Sequence, residues 1–450
     1  MSTEAPARSA TQSHDTTARH VTLDDLPVGR ADVELSCPPD RLATSGGVGG
    51  PRKVLTLVRL HTHPLGTIVL DATKGLDWST HAPTVWSEFR EAANAHLKSD
   101  ALPAANELTD LAATPAATPR CMDRRRAVEA EAPRITVVVA TRERPRLLRI
   151  CLNALLDLDY PDYEIVVVDN APETAATARL VKQLYAPSVR YRREDRKGLA
   201  SAHNRGLETA TGSIVAFVDD DVVVDRNWLS AIAEGFRAYP NVGCVTGLIL
   251  PAELITPAQL MLEQHGGFDK GFRQRVFDTS DNRPGDPLFP FTAGRLGSGA
   301  NMAFDTAVLR ELGGFDSATG IGTFARGGDD LAAFFRVVLD HKLVYQPSAV
   351  VWHRHHREMA AIQNQAYGYG VGLGAFLASV MVHEWRMWPQ LIVRLPRGLS
   401  YAFSAASARN RGRYAGCPSE LGRLERRGLA YGPAAYAVSR WQNRGSGYCR

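Results

Sequence analysis

Three aspartates in a row, Asp219-Asp220-Asp221, close an apolar run from Ile214 to Val218. Consecutive carboxylates at the end of a buried strand are costly unless a cation or solvent takes up the charge. Two of them, at i and i+2, can share one divalent ion that also holds a diphosphate, because hard cations take oxygen ligands. A solvated acidic turn would carry the same residues, so position decides. Three further groups also sit next to apolar runs. Asp169-Asn170 follows Glu164 to Val168, where an acid can accept from a nucleotide base or ribose, or merely cap a turn. Gly327-Gly328-Asp329-Asp330 opens the apolar stretch Leu331 to Leu339, where either aspartate can serve as an N-cap. Val350-Val351-Trp352-His353 delivers an imidazole into a cluster with His355 and His356; it is either a solvated loop or a metal ligand.

Such groups act together only on a scaffold that brings strand ends to one edge. From Arg134 the chain alternates in that way: Ile135 to Ala140, a helical stretch Arg146 to Leu158, Glu164 to Val168, a helix over Thr174 to Tyr185, Val189 to Arg192, a helix around Ala200 to Thr209, then Ile214 to Val218. Strands apolar on both faces and separated by helices predict an α/β fold with a mostly parallel sheet covered on both sides. Ligands then sit at the carboxyl ends of the strands. Upstream, Val54 to Leu60 and Thr67 to Leu70, with a turn at His63-Pro64-Leu65-Gly66, predict a hairpin in a small N-terminal β-containing module. The boundaries read as a disordered tail over 1–33, this module over 34–100, a mobile Ala/Pro-rich linker over 101–133, a catalytic-sized domain over 134–357, and a helical Arg-rich region over 358–450.

Between the first strands and the triple aspartate lies Gly198-Leu199-Ala200-Ser201-Ala202-His203-Asn204-Arg205-Gly206. Taken in order with Thr141-Arg142, Asp169, Asp219 and Asp221, Gly299-Ala300-Asn301-Met302-Ala303-Phe304, Gly313-Gly314-Phe315-Asp316, the acidic pair of GGDDL, and VVWH, it makes residues 134–357 resemble the family 2 glycosyltransferases of GT-A fold. The resemblance implies an inverting transferase that uses a nucleoside-diphosphate sugar and Mn²⁺ or Mg²⁺. It implies Asp219, Asp221 and His353 as metal ligands, and Thr141, Arg142, Asp169, Asn204 and Asp219 as donor contacts, Asp169 to the base and Asp219 to the ribose. Asp330 would be the base. Asp329 stands where the family usually has Glu, which leaves open which of the two carboxylates does the work. The processive members carry QxxRW before membrane helices; here Ala437 holds the first position ahead of Arg440-Trp441, so transfer of a single sugar is expected. The acceptor, whether glycan, lipid, peptide or small molecule, is not named by any motif.

Two other classes fit less well. A nucleotidyltransferase needs a GxGxR-type loop with a nearby Lys after the first strand, where this chain has Thr141-Arg142-Glu143-Arg144-Pro145. A sugar-binding or scaffold protein would not need the acidic pair and the histidine together. Charge adds a separate signal, because Arg386 to Arg450 holds twelve Arg and two Glu while the whole chain is only +4. Those arginines are interspersed with Leu, Ala, Tyr and Gly and no nucleic-acid motif accompanies them, so an anionic membrane surface or a lipid-phosphate acceptor is a more economical partner than nucleic acid, and a plain solvated helical surface accounts for the charge equally well. Met359 to Val382 has no charge, but its glycines at 368, 370, 372 and 374 make it a poor helix, and packing within the protein is favoured over insertion in a bilayer. The six cysteines form no CxxC pair, which argues against a zinc site and against a disulfide framework. With no apolar stretch in the first twenty residues, a cytoplasmic protein is expected, with a peripheral position on the inner face of the membrane as one option.

Overall fold

The computed structural model describes residues 21–45, 50–112, 118–264, 267–403 and 419–443. Its centre is a nine-stranded sheet built from β4 (Ile135–Thr141), β5 (Tyr163–Asn170), β6 (Val189–Glu194), β7 (Ile214–Asp219), β8 (Val222–Val224), β9 (Val242–Pro251), β10 (Arg275–Phe277), β11 (Asn301–Asp305) and β12 (Lys342–His353), numbered after three N-terminal strands. The order is β10-β12-β9-β11-β7-β4-β5-β6, with β8 on β12. β11 runs antiparallel to both β7 and β9, so β6, β5, β4, β7, β9 and β12 share one direction. Every side chain of β4 and β9 is buried, as strands covered on both faces require. One core packs Leu148, Leu152, Trp228 and Ile232 on one face. The other packs Ala200, Leu207, Phe334 and Phe335 on the opposite face. The parallel strands therefore end at one edge, and β4, β7 and β12 bring Thr141, Asp219 and His353 to it.

The N-terminal unit is a sheet of β1 (Val28–Glu34), β2 (Lys53–Leu60) and β3 (His63–Asp71), covered by the helix Trp78–Ser99. That helix buries Val85, Phe89, Ala93 and Leu97, a stripe at i+4 spacing, onto Val58, Leu60 and Leu70. Three expectations are corrected here. Residues 28–34 are a strand and not tail, because β1 pairs in parallel with β2 and Val28 packs on Leu254 and Leu260 of the larger domain. The hairpin turns at His61-Thr62, with φ of 53° and 68°, and not at His63 to Gly66. Two consecutive left-handed residues suit a tight two-residue turn, and Pro64 is tolerated because β3 is an edge strand. The expected linker carries the helix Arg120–Ala130, whose buried residues are Cys121, Arg125 and Val128. It shows no apolar period because it docks through a buried ion pair, Arg125 to Glu234 at 2.8 Å, and through Ser230, which donates to Glu129 at 2.7 Å.

The charge-free segment forms one helix, Met359–His383, which corrects the expectation of a poor helix. By length and composition it is the one described helix able to cross a membrane, yet half of its most apolar window is buried against the protein. Glycines two apart fall on different faces of a helix, and glycines four apart fall on the same one. Gly368 and Gly372 face Arg326, Gly327 and Gly328, while Gly370 and Gly374 face the helix Ser419–Asn443 at Glu425, Leu429 and Gly432. A Cβ at Gly370 would strike the Glu425 carbonyl, and one at Gly428 the Tyr367 carbonyl. Backbone-to-backbone packing thus offsets the low helix propensity of the glycines. Gly370→Val is expected to lower the unfolding free energy by about 1–3 kcal/mol through overpacking. Gly398→Ala, where nothing lies within 4 Å of an added Cβ, serves as the control. A urea midpoint for Gly370→Val no lower than wild type would refute the close pairing.

Candidate active site

The ends of β7 and β12 bring one oxygen each from Asp219 and Asp221 and one nitrogen of His353 within 4.8 Å of one another. Nε2 of His353 stands 3.3 Å from Oδ1 of Asp221. The imidazole is held from behind: its Nδ1 lies 2.8 Å from Nδ1 of His355, whose Nε2 lies 2.6 Å from Oε1 of Glu263. With Glu263 accepting from Nε2 of His355, the Nδ1 of His355 is the acceptor for Nδ1–H of His353. Nε2 of His353 is thereby turned toward the two carboxylates. A carboxylate fixing an imidazole through its far nitrogen is the arrangement that orients metal-bound histidines. Burial opposes charge on His353, but Asp221 and Asp219 raise its pKa above the ordinary imidazole value. Burial also pushes Asp219 up to about 7, with repulsion from Asp221 adding to it. Burial acts against Asp221 as well, yet the contact with His353 holds it below the usual carboxylate range. Two hard oxygens and one imidazole nitrogen fit a divalent cation such as Mn²⁺ or Mg²⁺.

Asp220, between the two, is buried and points the other way. It accepts from Thr141 Oγ1 at 2.6 Å and from Arg144 at 3.1 Å, and the same Arg144 Nη1 reaches Asp221 at 3.1 Å. Burial and then Asp221 raise its pKa to about 6. Arg144 therefore ties two of the three carboxylates, and Thr141 holds Asp220 while lining the cleft.

That cleft measures about 1150 Å³ and is walled by the strand ends, by Gly297 to Ala300, by Gly327 to Leu331, and by the glycine face of Met359–His383. Gly328, with φ of 88°, precedes the helix Asp329–Asp340 and puts both acids in its first turn, where the helix dipole favours negative charge. The two side chains part there. Asp329 is buried, with Oδ2 3.5 Å from Nδ1 of His203. Asp330 is partly exposed, and its Oδ2 accepts from the Gly299 N–H at 2.9 Å. Burial, followed by repulsion from Asp329, raises Asp330 to about 6. Such a carboxylate can take a proton near neutral pH. Arg142, Arg144, Lys197, Arg295 and Arg326 add positive charge to the walls.

Residues 136–295 match the family Glycosyl transferase family 2. A pre-mycofactocin glycosyltransferase of Mycobacterium tuberculosis (strain CDC 1551 / Oshkosh) is 25% identical over 227 residues, which cover 50% of this chain and 43% of that protein. A glucosyl-dolichyl phosphate glucuronosyltransferase of Haloferax volcanii is 23% identical over 131 residues, covering 28% of this chain and 37% of that protein. The chain thus spans less than half the length of these relatives. A mannosyltransferase from Pyrobaculum calidifontis, solved with GDP-Man and Mn²⁺, overlays with a TM-score of 0.45 and 20% identity, covering 69% of this chain and 88% of that one.

Not every expected donor contact reaches the cleft. Arg142 lines it and pairs with Glu173 at 2.7 Å. Asp169 sits at its strand end opposite Thr141, but it is fully buried and accepts from Tyr191 at 2.9 Å, leaving Oδ1 without a partner; Asn170 takes its place in the lining. Asn204 is corrected outright. Its amide bonds both the N–H and the C=O of Phe315 at 2.8 Å, away from the cleft, so GLASAHNRG serves to clamp the Gly313 to Asp316 turn. Glu263, His355, Arg144 and Asp220 were missed as supports. Glu263 and His355 are 92 residues apart, and only the alternation of His353 with His355 hinted at a pair. Asn204→Ala is expected to cost about 1–3 kcal/mol by leaving two buried backbone groups unpaired, with affinity for a nucleoside diphosphate unchanged. Thermal unfolding and calorimetric titration read the two effects; lost nucleotide affinity at wild-type stability would return Asn204 to the cleft.

Proposed function

We propose that this chain, which carries a family 2 glycosyltransferase domain, moves one sugar from a nucleoside-diphosphate sugar to an acceptor hydroxyl with inversion at the anomeric carbon. The observation that carries the reading is the placement, in one cleft, of an Asp219–Asp221–His353 cluster and an Asp330 carboxylate held at a helix start. A divalent cation held by Asp219, Asp221 and His353 supplies positive charge against the leaving diphosphate. The remaining work falls to the chain. Arg144 keeps Asp220 and Asp221 in place, and Arg142, Lys197 and Arg326 give the phosphates a basic wall. Of the aspartates lining the cleft, Asp219 and Asp221 would hold the cation, Asp220 accepts from Thr141 and Arg144, and Asp329 is buried with Oδ2 3.5 Å from Nδ1 of His203. Asp330 is left to take the acceptor proton, which supports it over Asp329 as the base. One base with no carboxylate left for a covalent sugar adduct favours a single displacement, hence inversion. Arg440 and Trp441, where a QxxRW motif would end, lie outside the cleft lining, in keeping with transfer of one sugar.

A base must be ionised to act, so turnover should rise with pH through a limb near pH 6, where Asp330 sits, and fall below it. Asp330→Asn is expected to lose that limb and at least ~10²-fold in turnover while still binding donor. Asp221→Ala should abolish the Mn²⁺ dependence of donor binding. Initial rates from pH 5 to 8, with calorimetric donor titrations with and without Mn²⁺, check both. Near-wild-type turnover in Asp330→Asn would move the base elsewhere.

A membrane-docked position for the enzyme is supported by a second surface. Trp385, Ile392 and Val393 are each about two-thirds exposed or more, next in the chain to Arg386 and Arg394 and close to Arg397, and Trp441, next to Arg440, is exposed to a similar degree. Leu391, Arg394, Leu395 and Tyr401 of the same helix, Trp388–Phe403, also line the cleft, so an acceptor arriving from an anionic membrane would enter beside it. Aromatic and apolar side chains set among arginines suit the interface of such a membrane, with about 1 kcal/mol for each basic residue near it. The four described cysteines are free thiols, in keeping with a cytoplasmic face. Sedimentation with vesicles should show binding to anionic lipid that weakens as salt rises and is lost in a Trp385→Ser, Ile392→Ser, Val393→Ser variant. Equal binding to neutral vesicles would discard the idea.

A further inference from the structure

A second cluster of ligand-type side chains lies in the N-terminal unit, independent of the cleft. His61 at the hairpin turn, His96 and Asp100 at the end of the helix Trp78–Ser99, and Cys121 at the start of Arg120–Ala130 place one ligand atom each within 4.8 Å of one another. Nδ1 of His61 is 3.2 Å from Nε2 of His96, and Oδ2 of Asp100 is 3.5 Å and 3.4 Å from these two nitrogens. Sγ of Cys121 is 3.6 Å from Nε2 of His96. Zinc bonds of ~2.0–2.1 Å to nitrogen or oxygen and ~2.3 Å to sulfur, at tetrahedral angles, put neighbouring nitrogen or oxygen ligands about 3.3–3.4 Å apart and sulfur about 3.6 Å from nitrogen. These four separations match edges of that tetrahedron, and the remaining two pairs lie within 4.8 Å.

We propose that His61, His96, Asp100 and Cys121 form a structural Zn²⁺ site. Three observations beyond the distances carry it. The Asp100 side chain is fully buried and its Oδ2, facing both imidazoles, has no hydrogen-bond partner; a buried carboxylate oxygen left so is costly. Its other oxygen, Oδ1, accepts from the Cys121 N–H at 3.0 Å, which fixes carboxylate and thiol relative to each other as a second shell does. The His61 turn is held in its left-handed shape by Glu34, which accepts from the N–H of His61 at 3.0 Å and of Thr62 at 2.7 Å. One thiolate and one carboxylate neutralise Zn²⁺, and two neutral imidazoles complete the shell, so the buried site carries no net charge. On binding, the S–Zn bond replaces S–H of Cys121 and the proton leaves to solvent. Four protein ligands close the shell, as in structural rather than catalytic sites. The absence of CxxC spacing is no obstacle, since three separate chain segments supply the four ligands. The site would pin the hairpin tip, the helix end and the strap leading into β4 at one point.

The test uses the full-length chain without a histidine tag. After dialysis into metal-free buffer, elemental analysis should find one equivalent of zinc in the wild type and in Asp221→Ala, and less than a fifth of that in Cys121→Ala and His96→Ala. Replacement by Co²⁺ should give visible bands of four-coordinate intensity and a near-ultraviolet thiolate charge-transfer band, which Cys121→Ser loses. Equal zinc in wild type and Cys121→Ala would overturn the proposal. Should the Cys121 variants fail to fold, the wild-type cobalt spectrum decides alone, and a spectrum lacking the thiolate band overturns it.

Discussion

Mutual repulsion among carboxylates gathered at the end of a buried strand is the constraint around which this molecule is arranged. β7 is buried from Ile214 to Val218 and then emits three acids, of which Asp220 is buried and Asp219 and Asp221 partly so. At such sites like charges interact far more strongly than in bulk solvent, and burial together with repulsion from Asp221 lifts Asp219 and Asp220 above the ordinary carboxylate range. The fold answers each acid differently. Asp220 turns inward to a hydroxyl and a guanidinium; Asp219 and Asp221 turn outward to the His353 imidazole. The division falls at the turn of Asp220 and Asp221 that joins β7 to β8. It leaves the i and i+2 pair on the side of the cleft.

Holding His353 against that pair requires support from distant chain. β12 carries the histidine to the right edge because it pairs in parallel with β9, and β8 pairs with its last residues. The ring orientation, however, comes from His355 and from Glu263 on the helix Pro257–Gln264. The opposite wall depends on glycine. Gly327 and Gly328 turn the chain into the helix that presents Asp330, and they do so against Gly372, which leaves room for nothing larger. The helix Met359–His383, outside the matched family region, is thus part of the cleft and not an appendage. The alternate glycines that look like helix breakers in sequence are its means of approach.

The features legible in the sequence were those governed by local order. Apolar runs gave the strands, and the ends of two of them pointed to Asp219, Asp221 and His353, while Asp330 was marked by its place just ahead of an apolar helical stretch. Features governed by long-range pairing were hidden. Asn204 reads as a donor contact until its amide is seen to bond Phe315, 111 residues away. The helix Arg120–Ala130 has no apolar stripe to betray it, because much of its docking is polar, through Arg125 to Glu234 and Glu129 to Ser230. The hairpin turn was displaced because Pro and Gly are the usual markers of turns, and here two residues that rarely take a left-handed shape are held there by Glu34 instead.

The N-terminal unit gains its meaning from where it touches the large domain. Leu57 of β2 packs on Leu248, Leu250, Val350 and Trp352, and the Arg30 guanidinium lies 4.2 Å above the Trp352 ring. These are the last residues of β9 and β12 before His353. Arg59, buried, bridges Asp32 and Asp225 at 2.8 and 2.7 Å. Asp225 follows directly on β8, the strand that leaves the triple aspartate. A buried guanidinium with two carboxylate partners is costly to unpair, so the joint resists sliding. The small sheet therefore braces, from the side away from the cleft, the two strands whose ends must hold an imidazole and two carboxylates together. Precision at that cluster demands stiffness beneath it, which gives a reason for an N-terminal unit that contributes no residue to the cleft lining.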